Sequence, residues 1–200
     1  MSIAEARTNL ERLSAQCAEA VQSRDAVAYR AIHADMLAAE RKLQELCGDE
    51  FATLWGGAAW VPTHPNPLIF SDGFVVWVVC PIAAVQRPLL CRVVSFRHVL
   101  AHRAGTVTDS LEEQPLFGRG LESCKALEIK NSLWIQQLKP TVHDESYWTD
   151  VRHFALCFKD CLVEVVAKSI EWHAEQRDVD VCVAEFSKNS AIIGSLHGKL

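Results

Sequence analysis

The sequence lacks any long hydrophobic run: no stretch approaches the roughly 18 consecutive apolar residues that a membrane-spanning helix needs. It also lacks a surplus of positive charge. Lysine and arginine total 20 against 25 aspartates and glutamates, a net charge of −5. A general nucleic-acid binder would be expected to carry a basic face instead. The opening residues, MSIAEARTNLERL, are charged and helical in pattern, which is not how a secretory signal reads. Glycine and proline are few, 9 and 7 in 200 residues, so collagen-like and low-complexity architectures are excluded. Half the residues are hydrophobic and 22% are charged. That balance excludes disorder and suffices for one domain with a real core. The expected protein is globular and cytoplasmic.

Cysteine, by contrast, is plentiful: Cys17, Cys47, Cys80, Cys91, Cys124, Cys157, Cys161 and Cys182. A disulfide framework suits short secreted chains without a core. Here Cys80 ends the run FVVWVVC and Cys157 lies in HFALCF, so they read as reduced thiols packed as small hydrophobes.

Along the chain, residues 1–48 read as an antiparallel helical hairpin. Ser2 with Glu5 forms a capping box, and Ile3, Ala6, Leu10, Leu13, Cys17 and Ala20 make one apolar stripe. Asp25 is the expected cap of the second helix, whose stripe is Tyr29, Ile32, Met36, Leu43 and Leu46, with Gly48 as its stop. Residues 49–72 hold Pro62, Pro65, Pro67, Trp55 and Trp60 and read as a connecting segment lying across the body. Residues 73–200 read as β-rich. Phe74–Cys80 and Leu89–Phe96 are expected strands of a meander, with Val99–His102 as a further strand before a turn at Ala104-Gly105. Residues 109–123 read as an exposed loop, followed by a strand at Cys124–Lys130. A short helix, SLWIQQLK, is capped by Asn131 or Ser132 and stopped by Pro140. Arg152–Lys159 and Cys161–Lys168 form an expected hairpin turning near Lys159-Asp160. The tail from Glu171 is ambiguous: EWHAEQR prefers helix, and VDVCVAEF is compatible with a strand. The fold class is α+β: a helical hairpin, then a mainly antiparallel sheet with one short inserted helix.

No complete catalytic or cofactor motif is present, and no catalytic residue, metal ligand or cofactor is assigned. His98 and His102 have metal-like spacing, but Val99 stands where a zincin motif needs glutamate. His153, Cys157 and Cys161 are spaced by four with no fourth ligand nearby. Cys157 or Cys161 with His153, and Cys124 with His143 and Asp144, are pairs that chance supplies among eight cysteines and eight histidines. Gly118-Arg119-Gly120 lacks phosphate-loop spacing and presents Arg119 at a bend. Trp77 and Trp134 read as core, whereas Trp55, Trp60 and Trp148 either pin irregular segments or form a binding patch. Charge is uneven: −3 over residues 1–50, +3 over 51–108 and −5 over 109–200.

Two segments carry a resemblance. EEQPLFGRGLESCKALEIKNSLWI is similar to a pattern H-P-L-Y-G-x-G-L followed by an acidic strand and N-S-x-W-I. RHFALCFKDCLVEVVA is similar to H-[FY]-x-x-x-F-H-D-x-x-x-E-x-x-A. Together they resemble a group of small bacterial proteins of uncharacterised function over about residues 110–168. The matching positions are Leu116, Gly118, Gly120, Leu121, Asn131, Ser132, Trp134, Ile135, His153, Phe154, Phe158, Asp160 and Glu164, while Gln114 and Lys159 stand where the pattern has histidine. The resemblance implies a bacterial source and a compact β-rich domain, and it supplies no activity.

The leading expectation is a non-enzymatic interaction module, immunity- or antitoxin-like, whose acidic and aromatic face occludes a basic toxin or enzyme. Its face residues would be Glu112, Glu113, Arg119, Asp144, Glu145 and Trp148. The first alternative is a small enzyme or ligand-binding domain with a pocket at Asn131, His153 and Asp160. The second is a structural subunit that forms a homodimer through the helical hairpin. Neither nucleic acid nor membrane is an expected partner.

Overall fold

A computed structural model describes residues 1–56, 67–82, 90–106, 121–122, 124–142, 144–158 and 161–197. Trp60, Glu112, Glu113, Gln114, Arg119, His143, Lys159 and Asp160 lie outside the described residues.

Helices α1 (Ile3–Gln22) and α2 (Ala26–Cys47) pack on each other as the hairpin expected from their stripes. The Ser2 hydroxyl accepts from the Glu5 amide at 3.2 Å and the Glu5 carboxylate accepts from the Ser2 amide at 2.6 Å. Asp25 accepts from the amides of Val27 and Ala28, and Gly48 closes α2 at a φ of 74°. Each cap answers backbone donors or acceptors that the first and last helical turns leave unpaired. Ala6, Leu13, Cys17 and Ala20 are buried in α1, whereas Ile3, at the head of the stripe, stays exposed. Arg41 of α2 is ion-paired to Glu122, which ties the hairpin to the rest of the molecule.

Seven strands follow among the described residues, β1 (Phe51–Leu54), β2 (Leu68–Ser71), β3 (Val75–Pro81), β4 (Leu90–Thr106), β5 (Lys125–Lys130), β6 (Arg152–Cys157) and β7 (Cys161–Asp178). They form one sheet in the order β1-β5-β6-β7-β4-β3-β2, every neighbouring pair antiparallel. Residues 49–72, read as a connection, thus supply both edge strands. The long β4 and β7 pair along nearly their whole lengths, with register shifts at Cys91/Val93 and Val99/Ala101. His98, at a φ of 53°, lies just before the second shift. No turn occurs at Ala104-Gly105, because both residues pair with Val163 and Leu162 of β7.

The structure decides the tail that the sequence left ambiguous, against both local preferences. EWHAEQR belongs to β7, where Ser169–Glu171 oppose Ser95–Arg97 and Trp172 and His173 oppose Val94 and Val93. VDVCVAEF opens helix α4 (Val179–His197). Local helix preference in EWHAEQR yields to a ladder already templated by β4. In α4, Val179, Cys182, Val183 and Phe186 recur at helical spacing, and the Asp178 carboxylate accepts from the Asp180 amide at 2.8 Å.

The sheet has two buried faces. Val78, Val94, Phe96, Phe154, Leu156, Val163 and Val165 line one. Their neighbours in sequence line the other, where Val79 and Val93 lie under α4 and Ala155, Cys157 and Leu162 join Ala52, Leu127 and Ile129. Phe186 of α4 stacks on Trp77 with centroids 5.1 Å apart and also meets Phe70. Helix α3 (Leu133–Leu138) lies in the β5–β6 connection, followed by two 3₁₀ turns at Lys139–Thr141 and Glu145–Trp148.

Candidate functional site

Alternation along β6 and β7 places polar side chains on the face that also carries Ala155 and Leu162. Ala155 opposes Glu164 across the β6–β7 ladder, Arg103 opposes Glu164 across β4–β7, and His153 is two residues from Ala155. His153 is 1% exposed and Glu164 4%. A charged carboxylate at such depth is tolerated only when paired.

The pairing is extensive. His153 Nε2 lies 3.2 Å from Glu164 Oε1. Arg103 Nε donates to Glu164 Oε2 at 2.6 Å. On the other side of the ring, His153 Nδ1 is 2.9 Å from Ser132 Oγ and 3.9 Å from Glu50 Oε1. Ser132 is the N-cap of α3, its hydroxyl accepting from the Ile135 amide, and Glu50 accepts from the Leu133 amide. Trp134 closes the assembly, meeting His153 edge-on at 5.2 Å and carrying the Arg103 guanidinium 4.4 Å above its ring. Burial alone would raise the pKa of Glu164; hydrogen bonds and charge from His153 and Arg103 outweigh it and hold the carboxyl at about 2. The Arg103 pKa is raised chiefly by its hydrogen bond to Glu164.

Ser132, His153 and Glu164 have the connectivity of a serine–histidine–acid relay. Their setting differs from that of a reactive centre. The Ser132 residue is 5% exposed with its hydroxyl engaged in capping, and the adjacent Leu133 amide is bonded to Glu50 rather than open to a developing oxyanion. The assembly binds the β5–β6 connection to the sheet.

Asn131, at a φ of 53°, donates to the Asp49 carbonyl at 3.1 Å and lines a cleft of about 260 Å³ with Ser132, Lys130, Lys139 and Arg152. His153 is not in that cleft's wall, and it meets Ser132, the residue that follows Asn131. Cys157 shares the His153 face and has its thiol pushed up to about 12 by burial, with the Glu164 charge adding to it. Cys161 packs against the opposite face. Among the described residues, no three His, Cys, Asp or Glu side chains converge to hold a metal ion.

Of the expected partner face, Asp144, Glu145 and Trp148 are described, and one short turn carries all three. Asp144 caps it, accepting from the Ser146 hydroxyl and amide, and these bonds lower its pKa. Trp148 donates to the Val142 carbonyl at 3.3 Å, pinning the turn, while Glu145 and Tyr147 remain exposed. Lys139, Val142, Glu145 and Trp148 surround a second cleft of about 460 Å³. Tyr147 lies under the Lys168 ammonium of β7, 5.1 Å from the ring centre.

Sequence reading did not single out Glu50 or Arg103. It had a signal for Glu164, a lone acid in the apolar run CLVEVVAK. Ser132, Trp134, His153 and Glu164 all stand at positions quoted for the resemblance, and in space they meet. No family profile, curated protein or solved structure matches the chain.

Proposed function

We propose that this chain is a cytoplasmic, non-enzymatic interaction module that covers a basic surface of a protein partner, in the manner of an immunity protein or antitoxin. The observation that carries this reading is the Asp144–Trp148 turn: exposed Glu145 and Tyr147 on a connection fastened to the sheet through Trp134, Ser132 and His153. A turn already held in place loses little conformational freedom on binding, and tyrosine and tryptophan supply large contact area. Glu112, Glu113 and Arg119 complete the proposed face from a segment outside the described residues. The enclosed Ser132 and His153 support binding over catalysis. No helix among the described residues is long and apolar enough to cross a membrane.

The test is affinity capture from a bacterial lysate by the wild-type chain and by a variant carrying Glu112→Lys, Glu113→Lys, Asp144→Lys and Glu145→Lys. A stoichiometric basic protein, bound less tightly at high salt and lost by the variant, is the expected result. A partner held with equal affinity and equal salt dependence by both chains would overturn the electrostatic mechanism.

A further inference from the structure

We infer that the cleft between α3 and the β5–β6 ladder is a receptor for the phosphate group of a phosphate monoester. The inference does not rest on the partner face, and its test involves no protein partner, so either reading can fail without the other.

The cleft of about 260 Å³ is bounded by three cations, Lys130, Lys139 and Arg152, and by one acid, Glu128. Ile129 opposes His153 across β5–β6, so Lys130 and Arg152 come next along the ladder, side by side on one face. Like charges so placed repel each other. Lys130 Nζ donates to Glu128 Oε1 at 2.6 Å, which offsets one of the two. Arg152 has no such relief. Its guanidinium lies 5.0 Å from the Phe154 ring centre, and among the described residues it has no carboxylate partner. Lys139, at the end of α3, has none either. The cleft thus keeps two uncompensated positive charges, and Arg152 is already oriented by the ring beneath it. A guanidinium so held matches phosphate oxygens in bidentate geometry, and lysine adds a point charge. The backbone at the start of α3 contributes nothing here, because the Leu133 amide is bonded to Glu50 and the Ile135 amide to Ser132. Recognition falls to the side chains.

Two positive charges favour a dianion over a monoanion, and a phosphate monoester carries close to two negative charges near neutral pH. Space for the rest of the molecule adjoins the cations. Lys139 also borders the second cleft, of about 460 Å³, together with Val142 and Trp148. An organic group attached to the phosphate finds apolar and aromatic surface there. Glu145 in that wall repels further negative charge, so the organic group is uncharged.

The test is an NMR titration of the wild-type protein with phenyl phosphate, inorganic phosphate and benzoate at constant ionic strength. A value of about pH 8 keeps both phosphates mainly dianionic. The resonances read are the Arg152 Nε–H and the Trp148 indole N–H. Phenyl phosphate is expected to move both along one saturable curve with one Kd. Benzoate has the ring with one charge, and inorganic phosphate has the charge without the ring; each should bind at least severalfold more weakly. Arg152→Gln and, separately, Lys139→Gln should weaken phenyl phosphate by about tenfold, whereas Lys42→Gln on α2 should leave it unchanged. No saturation in the wild-type protein, an unchanged Kd in folded Arg152→Gln or Lys139→Gln, or equal weakening by Lys42→Gln would overturn the receptor. Benzoate binding as tightly as phenyl phosphate would overturn the dianion, and inorganic phosphate binding as tightly would overturn the ester.

Discussion

Glu164 is the residue on which the assembly turns, because it touches both His153 and Arg103. Its ordinary carboxyl pKa of 4.5 is brought down to about 2 in the folded protein. A carboxyl lowered in this way stabilises the fold fully above its unfolded pKa, and that stabilisation is lost as pH falls toward the folded value. The loss therefore falls between pH 4.5 and about 2. It amounts to at most about 3 kcal/mol, reduced by the solvent around half-exposed Arg103. Urea unfolding at a series of pH values should show this decline in the wild-type chain. Glu164→Gln should be less stable at pH 7 by about 3 kcal/mol, since it leaves buried partners unmatched, and should lose less on acidification. A variant with the same acid dependence as the wild type would place the effect at other carboxyls.

At the scale of elements, what was legible in the chain was what local chemistry decides. Ser2, Asp25 and Gly48 mark the ends of α1 and α2 because capping uses residues within a few positions of one another. Ser132 marks α3 for the same reason, and it also reaches His153, so Ser132→Ala loses a cap and a buried hydrogen bond together. The expected cost is about 2 kcal/mol, read from the urea midpoint. A change below half of that would show that the hydroxyl caps without bracing. The tail was ambiguous because its state is set far along the chain: His173 bonds to Ser95 at 3.0 Å, 78 residues away, and that partner is absent from any local window. Helix α4 is held by burial rather than by propensity. Phe186→Ala, which removes the ring between Trp77 and Phe70, should cost about 3 kcal/mol and raise the susceptibility of the C-terminal helix to proteolysis. Unchanged proteolysis would mean that other contacts hold α4.

Over the whole molecule, the strand order β1-β5-β6-β7-β4-β3-β2 makes the site by bringing together segments that the chain keeps apart. Arg103 and Glu164 are 61 residues apart, and Glu50 and Leu133 are 83 apart. His153 was visible as a candidate because histidine in an apolar strand invites attention. Glu50 was not, since it lay within what read as a connection and its partners are defined only once β1 pairs with β5. Asp144, Glu145 and Trp148 were legible as a group because one turn carries them. The polar assembly then acts on the whole by holding the start of the β5–β6 connection, at Ser132, Leu133 and Trp134, against the sheet. The most direct test is hydrogen–deuterium exchange of the wild-type chain beside His153→Gln, which keeps a polar side chain but cannot span Ser132 and Glu164 together. Faster exchange confined to residues 131–151, with α1, α2 and the β3–β4 ladder unchanged, is the expected result. Equal exchange over 131–151 in the two proteins would contradict the bracing role of His153, and with it the proposal of a surface held ready for a partner.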